Sequence, residues 1–251
     1  MVREERLKTI SAKGLHYKIL NEKIRGALEE GYQQIKVLEV NGQRYIGDGL
    51  AFPGRNLEIY GTVGNDLAIF MDGATIKVFG NAQDGVANTM NEGEIIIYGG
   101  VGDLMGYGMR GGRVFVRDSV GYRAGIHMKE YEDKVPILVI GGSCGDFLGE
   151  YIAGGRVIVL GLDIEEKDIT GYFCGTGMHG GIIYIRGMVP EYKLGKEVKM
   201  VEVEETDISF LQQQLLDFSN YFGIDIASIM NRSFYKLVPN NKRPYSRLYT
   251  Y

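Results

Sequence analysis

The chain is poor in the residues that most metal and redox chemistry needs. Its 251 residues hold two cysteines and three histidines. Two cysteines cannot ligate an iron–sulfur cluster within this chain, and no Cys-x-x-Cys occurs. His16, His127 and His179 lie too far apart for metal-ligand spacing. No stretch of about eighteen apolar residues is present, and the opening MVREERLKTI lacks the apolar core of a secretion signal. Both points lead to an expected cytoplasmic protein without a membrane partner. Positive charge is not in excess either: 28 Lys and Arg against 32 Asp and Glu give −4. With no basic stripe, nucleic acid is not an expected partner.

Glycine, by contrast, is plentiful, with 37 residues, and it falls at fixed places. Residues 56–112 repeat one nineteen-residue unit three times, opening with NLEIYG (56–61), TIKVFG (75–80) and EIIIYG (94–99). RVFVRD (113–118) follows at the same spacing. Extending the register gives VLEVNG from Val37, PILVIG from Pro136, RVIVLG from Arg156 and IIYIRG from Ile182. The later spacings grow through polar insertions near EYEDK (130–134) and DIEEKD (163–168). A short period with an alternating apolar strand in each unit predicts a solenoid.

Three columns run through the repeat. Strand positions two and four are apolar, as in Leu57/Ile59, Ile76/Val78, Ile95/Ile97, Val114/Val116 and, in this register, Ile137/Val139. Fifteen residues into each unit stand Phe52, Met71, Met90, Met109, Met128, Ile152 and Met178. The third column is Leu67, Val86, Met105, Ala124, Leu148 and Cys174, each followed by Ala or Gly, which suits a sharp bend. Three inward columns with small-residue corners predict an all-β fold: a single-stranded right-handed parallel β-helix of about eight coils, roughly 38 Å long at ~4.8 Å per coil. Cys144 and Cys174 fall on inward columns and are expected to be buried.

The expected division is 1–36 for an N-terminal segment and capping helix, 37–187 for the β-helix, and 188–251 for a C-terminal helix and extended tail. In the first part residues 1–15 show little pattern. Tyr17, Leu20, Ile24, Ala27 and Leu28 share one helical face closed by Gly31. In the last part Thr206 and Asp207 offer N-caps for a helix with Ile208, Leu211, Leu215, Phe218 and Phe222 on one side, ended by Gly223. Outward strand positions turn from charged (Glu58, Lys77) to apolar (Ile96, Phe115, Leu138, Ile158, Tyr184). That stripe predicts a cover, for which the tethered C-terminal helix is the first candidate, with the aromatic tail beyond Phe234 continuing onto a partner.

Chemical motifs are sparse. GYGMRG (106–111) and GTGMHG (175–180) match Gly-x-Gly-x-x-Gly, but each precedes a strand and places its Met in the core column, so neither reads as a phosphate cradle. Corner residues Asn65, Asp84, Asp103 and Asp146 recur as turn formers, and Ser119 and Ser143 have no triad companions. No catalytic, cofactor-binding or metal-binding residue is assigned, and no cofactor is expected.

The glycine pattern Gly99-x-x-Gly102-x-x-x-Gly106, repeated at Gly142, Gly145 and Gly149, resembles the domain that closes the large subunit of glutamate synthase. GEYIAGGRVIVLG (149–161) with GTGMHGGIIYI (175–185) is especially similar to that family. So are LNEKIR (20–25), GQRYIGDGLA (42–51) and FYKLVP (234–239), so that the likeness covers about 230 residues. The resemblance implies a non-catalytic structural domain, here as a separately encoded subunit. Its expected partners are the amidotransferase and the FMN/iron–sulfur synthase subunits, which convert glutamine and 2-oxoglutarate to two glutamates, with self-association left open. The amidotransferase nucleophile of that family is an N-terminal cysteine, which this chain lacks. Two alternatives remain: the C-type structural subunit of a formylmethanofuran dehydrogenase, a molybdenum or tungsten enzyme, and an independent β-helix enzyme or ligand-binding protein.

Overall fold

A computed structural model describes residues 6–162, 164 and 169–240. Nine strands run parallel in sequence order: β1 (Leu7–Ser11), β2 (Gln34–Asn41), β3 (Asn56–Thr62), β4 (Asp72–Phe79), β5 (Glu92–Ile97), β6 (Arg113–Val116), β7 (Ile137–Ile140), β8 (Ala153–Val159) and β9 (Gly180–Arg186). Each pairs with the next one along the rod, as in Leu57↔Ile76↔Ile95↔Val114. The chain is an all-β parallel solenoid. Strands β2–β9 supply eight rungs on this first side. A second side of single bridges links only six residues, Val63, Ala82, Val101, Val120, Cys144 and Thr170. Coils paired on both sides therefore number about six, fewer than the eight expected.

The third side contains no strand among the described residues, only the single bridge Cys174↔Leu194 at its far end. Here every coil places three alternate residues in the left-handed region: Asp66, Ala68 and Phe70 in one coil, Gly85, Ala87 and Thr89 in the next, then Leu104, Gly106 and Gly108. Their N–H groups reach the neighbouring coils in alternation. Asp66 and Phe70 donate onward to Asp84 O (2.8 Å) and Asn88 O (3.0 Å), while Ala68 donates back to Ile46 O (2.8 Å). The corner is thus hydrogen-bonded on both sides without a strand, leaving few backbone groups unmet. The middle residue shares its positive φ with bulky neighbours such as Phe70 and Leu104, so space makes it small: a Cβ on Gly106 or Gly149 would stand 2.9 Å from Leu138 Cδ1 or 2.5 Å from Ile183 Cδ1.

One core fills the rod. The Met column (Met71, Met90, Met109, Met128, Met178) and the inward strand pairs are fully buried, with Phe52 only partly so. Two registers differ from expectation. Strand β2 begins at Gln34, so Ile35 and Val37 form its inward pair, and of the second and fourth residues counted from Val37 only Val40, past a bulge, also enters the core. Glu39, at φ 59°, absorbs the offset. In β7, Arg113 faces Ile137 and Val114 faces Leu138, so Leu138 and Ile140 enter the core while Ile137 and Val139 face outward. A slip of one residue exchanges the two faces of a strand. The five residues 130–134 form the full insertion there, closed by Tyr131 N→Lys134 O (3.2 Å) and Lys134 N→Tyr131 O (3.0 Å). The DIEEKD insertion (163–168), apart from Ile164, lies outside the described residues.

Both ends are covered. Helix α1 (Tyr17–Glu29) buries Leu20, Ile24, Ala27 and Leu28 in the same core, and Gly31 follows its end at φ 87°. Ahead of it, β1 adds a rung where no pattern was legible. At the other end, β10 (Val198–Glu202), α2 (Glu205–Phe222), α3 (Ile226–Met230) and β11 (Phe234–Pro239) follow. Strand β11 runs antiparallel between β9 and β10. Phe234–Pro239 therefore belongs to this chain's own sheet instead of reaching a partner, and 241–251 lie outside the described residues. The N-cap of α2 is Glu204, in a capping box with Asp207, rather than Thr206 or Asp207 itself. Its buried face is Asp207, Leu211, Gln214, Leu215 and Phe218, with Ile208 turned outward at 38% exposure.

Helix α2 covers the outward stripe of the later coils, as the apolar pattern predicts. Phe115, Val139, Ile158, Leu160 and Tyr184 form a second core with Leu211, Leu215 and Phe218. Polar contacts fix its position. Arg113 bridges Glu94 and Asp217, and Tyr221 Oη donates to Glu94 (2.7 Å). Tyr184 Oη donates to Asp207 (2.8 Å) on one carboxylate oxygen, and Lys236 Nζ reaches the other (2.6 Å). Arg186 closes α3 by donating to Ile229 O (2.6 Å) and Ser228 O (3.2 Å).

Candidate interaction surface

The residues that could carry chemistry are tied up within the solenoid. Both thiols are buried, and burial pushes each upward, Cys174 to about 12. A thiol held protonated is a poor ligand or nucleophile. His16 caps α1 by accepting from Lys18 N. His127 stacks on Tyr151 with centroids 5.4 Å apart, and His179 Nδ1 lies 3.2 Å from Gly177 O. No group of three or more metal-ligating side chains occurs among the described residues. In the two Gly-x-Gly-x-x-Gly stretches the N–H groups already have partners: Gly106 N→Val86 O (2.7 Å), Gly108 N→Ile126 O (2.9 Å), Gly175 N→Leu148 O (2.7 Å) and Gly177 N→Glu197 Oε2 (3.1 Å).

The corner carboxylates act between coils. Asp84 accepts from Asp103 N (2.9 Å), Asp103 from Tyr122 N (2.8 Å) and Asp146 from Tyr172 N (2.8 Å). Ser119 Oγ accepts from Ser143 N (3.0 Å) in a parallel ladder. These groups stitch one coil to the next, which turn-forming side chains do when a backbone donor faces them.

The same corner carries what the sequence reading missed. The first left-handed position is Tyr45 in the first coil and then runs Asp66, Gly85, Leu104, Arg123, Phe147, Phe173. From Asp66 on, its preceding neighbours run Asn65, Asp84, Asp103, Tyr122, Asp146, Tyr172. Toward the later coils this edge turns aromatic. Phe147 and Phe173 stack at 4.9 Å, the Arg123 guanidinium lies 5.0 Å over Phe147, and Tyr172 meets Tyr192 at 6.2 Å. Tyr122, Tyr172, Phe173 and Tyr192 are each more than half exposed. A bulky residue in the left-handed region costs about 1–2 kcal/mol relative to its ordinary backbone. Gly85 shows that glycine fits the same position, and the fold needs no side chain there. Tyr and Arg are enriched at the anchoring points of protein interfaces, which makes this exposed aromatic edge a candidate contact surface.

Phe173→Gly separates the two roles. The left-handed penalty disappears while the added freedom of the unfolded chain costs roughly 0.5–1 kcal/mol. The melting temperature is expected to hold or rise, as read by circular dichroism. A fall of several degrees would mean that Phe173 serves the fold.

Residues 36–243 match the GXGXG motif family. The chain belongs to that family. The GXGXG motif is found in the C-terminal domain of glutamate synthase, in line with the resemblance carried by the glycine pattern. The chain is also 47% identical over 249 residues to an uncharacterized protein of Methanocaldococcus jannaschii, covering 96% of this chain and 95% of that one. Within the repeated glycine pattern, Gly106 and Gly149 stand at left-handed positions, whereas Gly99, Gly102, Gly142 and Gly145 do not. No helix among the described residues is long and apolar enough to cross a membrane.

Proposed function

We propose that this chain is the β-helical structural subunit of a glutamate synthase whose amidotransferase and FMN/iron–sulfur parts are carried on other polypeptides. It works in the cytoplasm as a scaffold and takes no chemical step itself. The observation that carries the reading is the GXGXG match across 36–243, the repeat found at the end of the synthase large subunit. Two physical features support it. The thiols are locked inside the rod, and the exposed aromatic corner keeps backbone strain that the solenoid does not need. A rod with rigid, hydrogen-bonded sides fixes the separation of whatever binds along it, and separation decides whether ammonia and electrons meet at one centre.

The test is co-expression of the full chain with the polypeptides encoded beside it. A stoichiometric complex that contains FMN and makes glutamate from glutamine and 2-oxoglutarate is expected, with the isolated chain free of flavin after gel filtration. Flavin retained by the isolated chain would overturn the scaffold role. Co-purification with a molybdenum or tungsten oxidoreductase instead would place the chain in the formylmethanofuran dehydrogenase class.

A further inference from the structure

The outward sheet face divides at β5. Helix α2 starts over β9, where Asp207 meets Tyr184, and ends over β5, where Phe222 packs edge-on against Tyr98 at 5.2 Å. Phe222 is the last residue of α2, and the outward residues beyond it, Phe79 and Tyr60, are only partly buried. Yet the surface continues in kind. Tyr98 stacks on Phe79 at 4.7 Å, and Phe79 stacks on Tyr60 at 4.7 Å. Leu38, half-buried, lies on the same outward face of β2. Beside this apolar ladder stand Lys36, Glu58 and Lys77, one per rung. Between them a crevice of about 160 Å³ opens, lined by Gln34, Lys36, Asn56, Glu58, Thr75 and Lys77.

We infer that this uncovered half is the docking site for an amphipathic helix of a partner subunit, laid end to end with α2 and presenting a carboxylate to Lys77. The inference rests on the reading of the chain as a synthase subunit and names the contact by which it joins. Continuity is the first argument. The aromatic ladder that α2 covers at Tyr98 runs on uncovered through Phe79 and Tyr60, so the same kind of apolar ridge fits. Charge is the second. Over the later coils α2 sets Asp217 against Arg113, a cation on the outward face of β6. On the open half Glu58 pairs with Lys36 (3.3 Å), so Lys77, in register beside it, is left without an ion pair within 4 Å among the described residues. Size is the third. Strands β1–β4 span roughly 14 Å at ~4.8 Å per rung, which about ten helical residues cover at 1.5 Å each. The crevice beside Lys77 receives one anchoring side chain.

The experiment uses the full chain and the co-expressed amidotransferase and flavin–iron–sulfur polypeptides. Hydroxyl-radical labelling of Tyr60 and Phe79 is compared in the free chain and in the complex. Labelling of both is expected to drop on assembly. Lys77→Glu and Phe79→Ser are expected to weaken assembly by about tenfold or more, with Lys77→Arg near wild type, while each variant keeps the parent melting temperature. If the complex forms with Tyr60 and Phe79 as reactive as before, the docking inference is wrong and the scaffold reading stands. If wild-type chain joins neither polypeptide, both readings fall. Protection already present in the isolated chain, lost on dilution or on removal of residues 241–251, would assign the face to a second copy or to this chain's own end and would overturn the inference.

Discussion

Met109→Asp is expected to break the solenoid. Met109 is fully buried in the column between Met90 and Met128, with no cation in that column. An unpaired carboxylate there must either stay charged in an apolar interior or take up a proton, and each route costs several kcal/mol. Losses above about 4–5 kcal/mol are exceptional for one substitution and approach the whole stability of many domains. Because each coil touches only its neighbours, the damage should divide the rod at the fourth coil instead of merely lowering one transition. Met109→Leu keeps the volume and should cost less than about 1.5 kcal/mol. Thermal melts of the two variants followed by circular dichroism make the comparison. Equal melting temperatures would show that the column tolerates charge and therefore meets water.

Phe218→Ala is expected to release α2 while the coils stay wound. Phe218 is fully buried among Phe115, Leu215 and neighbouring apolar side chains, and its loss should cost about 3–5 kcal/mol. That loss falls on one helix, whose remaining anchors are Leu211, Leu215 and the polar contacts. Dye binding and self-association should rise as Phe115, Val139 and Ile158 meet water. Acid should act in the same direction. Burial alone would push the Asp207 carboxyl up, but the Glu204 N–H, Lys236 and the Tyr184 hydroxyl hold it below the usual carboxylate range. A depressed carboxyl stabilises docking above its unfolded pKa, roughly 3.9, and the contribution fades as pH falls through the folded value. Dye binding should therefore increase below about pH 4 in the parent protein. Asp207→Asn should flatten that part of the profile; an unchanged profile would mean that other carboxylates release the helix.

The residues that announce this fold are those repeated at nineteen-residue spacing, because a column of apolar side chains is visible wherever the spacing is strict. Legibility fails where the pattern has no contrast. In β7 the run Ile137–Ile140 is apolar at every position, so alternation cannot say which pair enters the core, and the insertion at 130–134 removes the spacing that would decide. Strand β1 forms only one rung, so no neighbour with matching letters marks it. The cap of α2 depends on Glu204 and Asp207 exchanging bonds, a reciprocal geometry that residue preference alone places two or three residues too late. The aromatic corner is hidden differently. Its left-handed positions are filled by Gly85 in one coil and Phe173 in another, so a search for glycine finds the bend and passes over the patch.

The two-way hydrogen bonding of the left-handed corner makes the stack modular in a stricter sense. Asp66 reaches forward and Ala68 backward, and each later corner presents the same acceptors at the same places. A coil such as 75–93 is therefore framed by two interchangeable joints. Taking it out would set Asn56 opposite Glu94 and leave every joint satisfied. The rod can then change length only in whole steps of about 4.8 Å, each step carrying its own outward side chains. A spacer built this way behaves like a ruler with fixed graduations. Partners bound at its two ends can be moved apart or together by one graduation, and no intermediate distance is available to them.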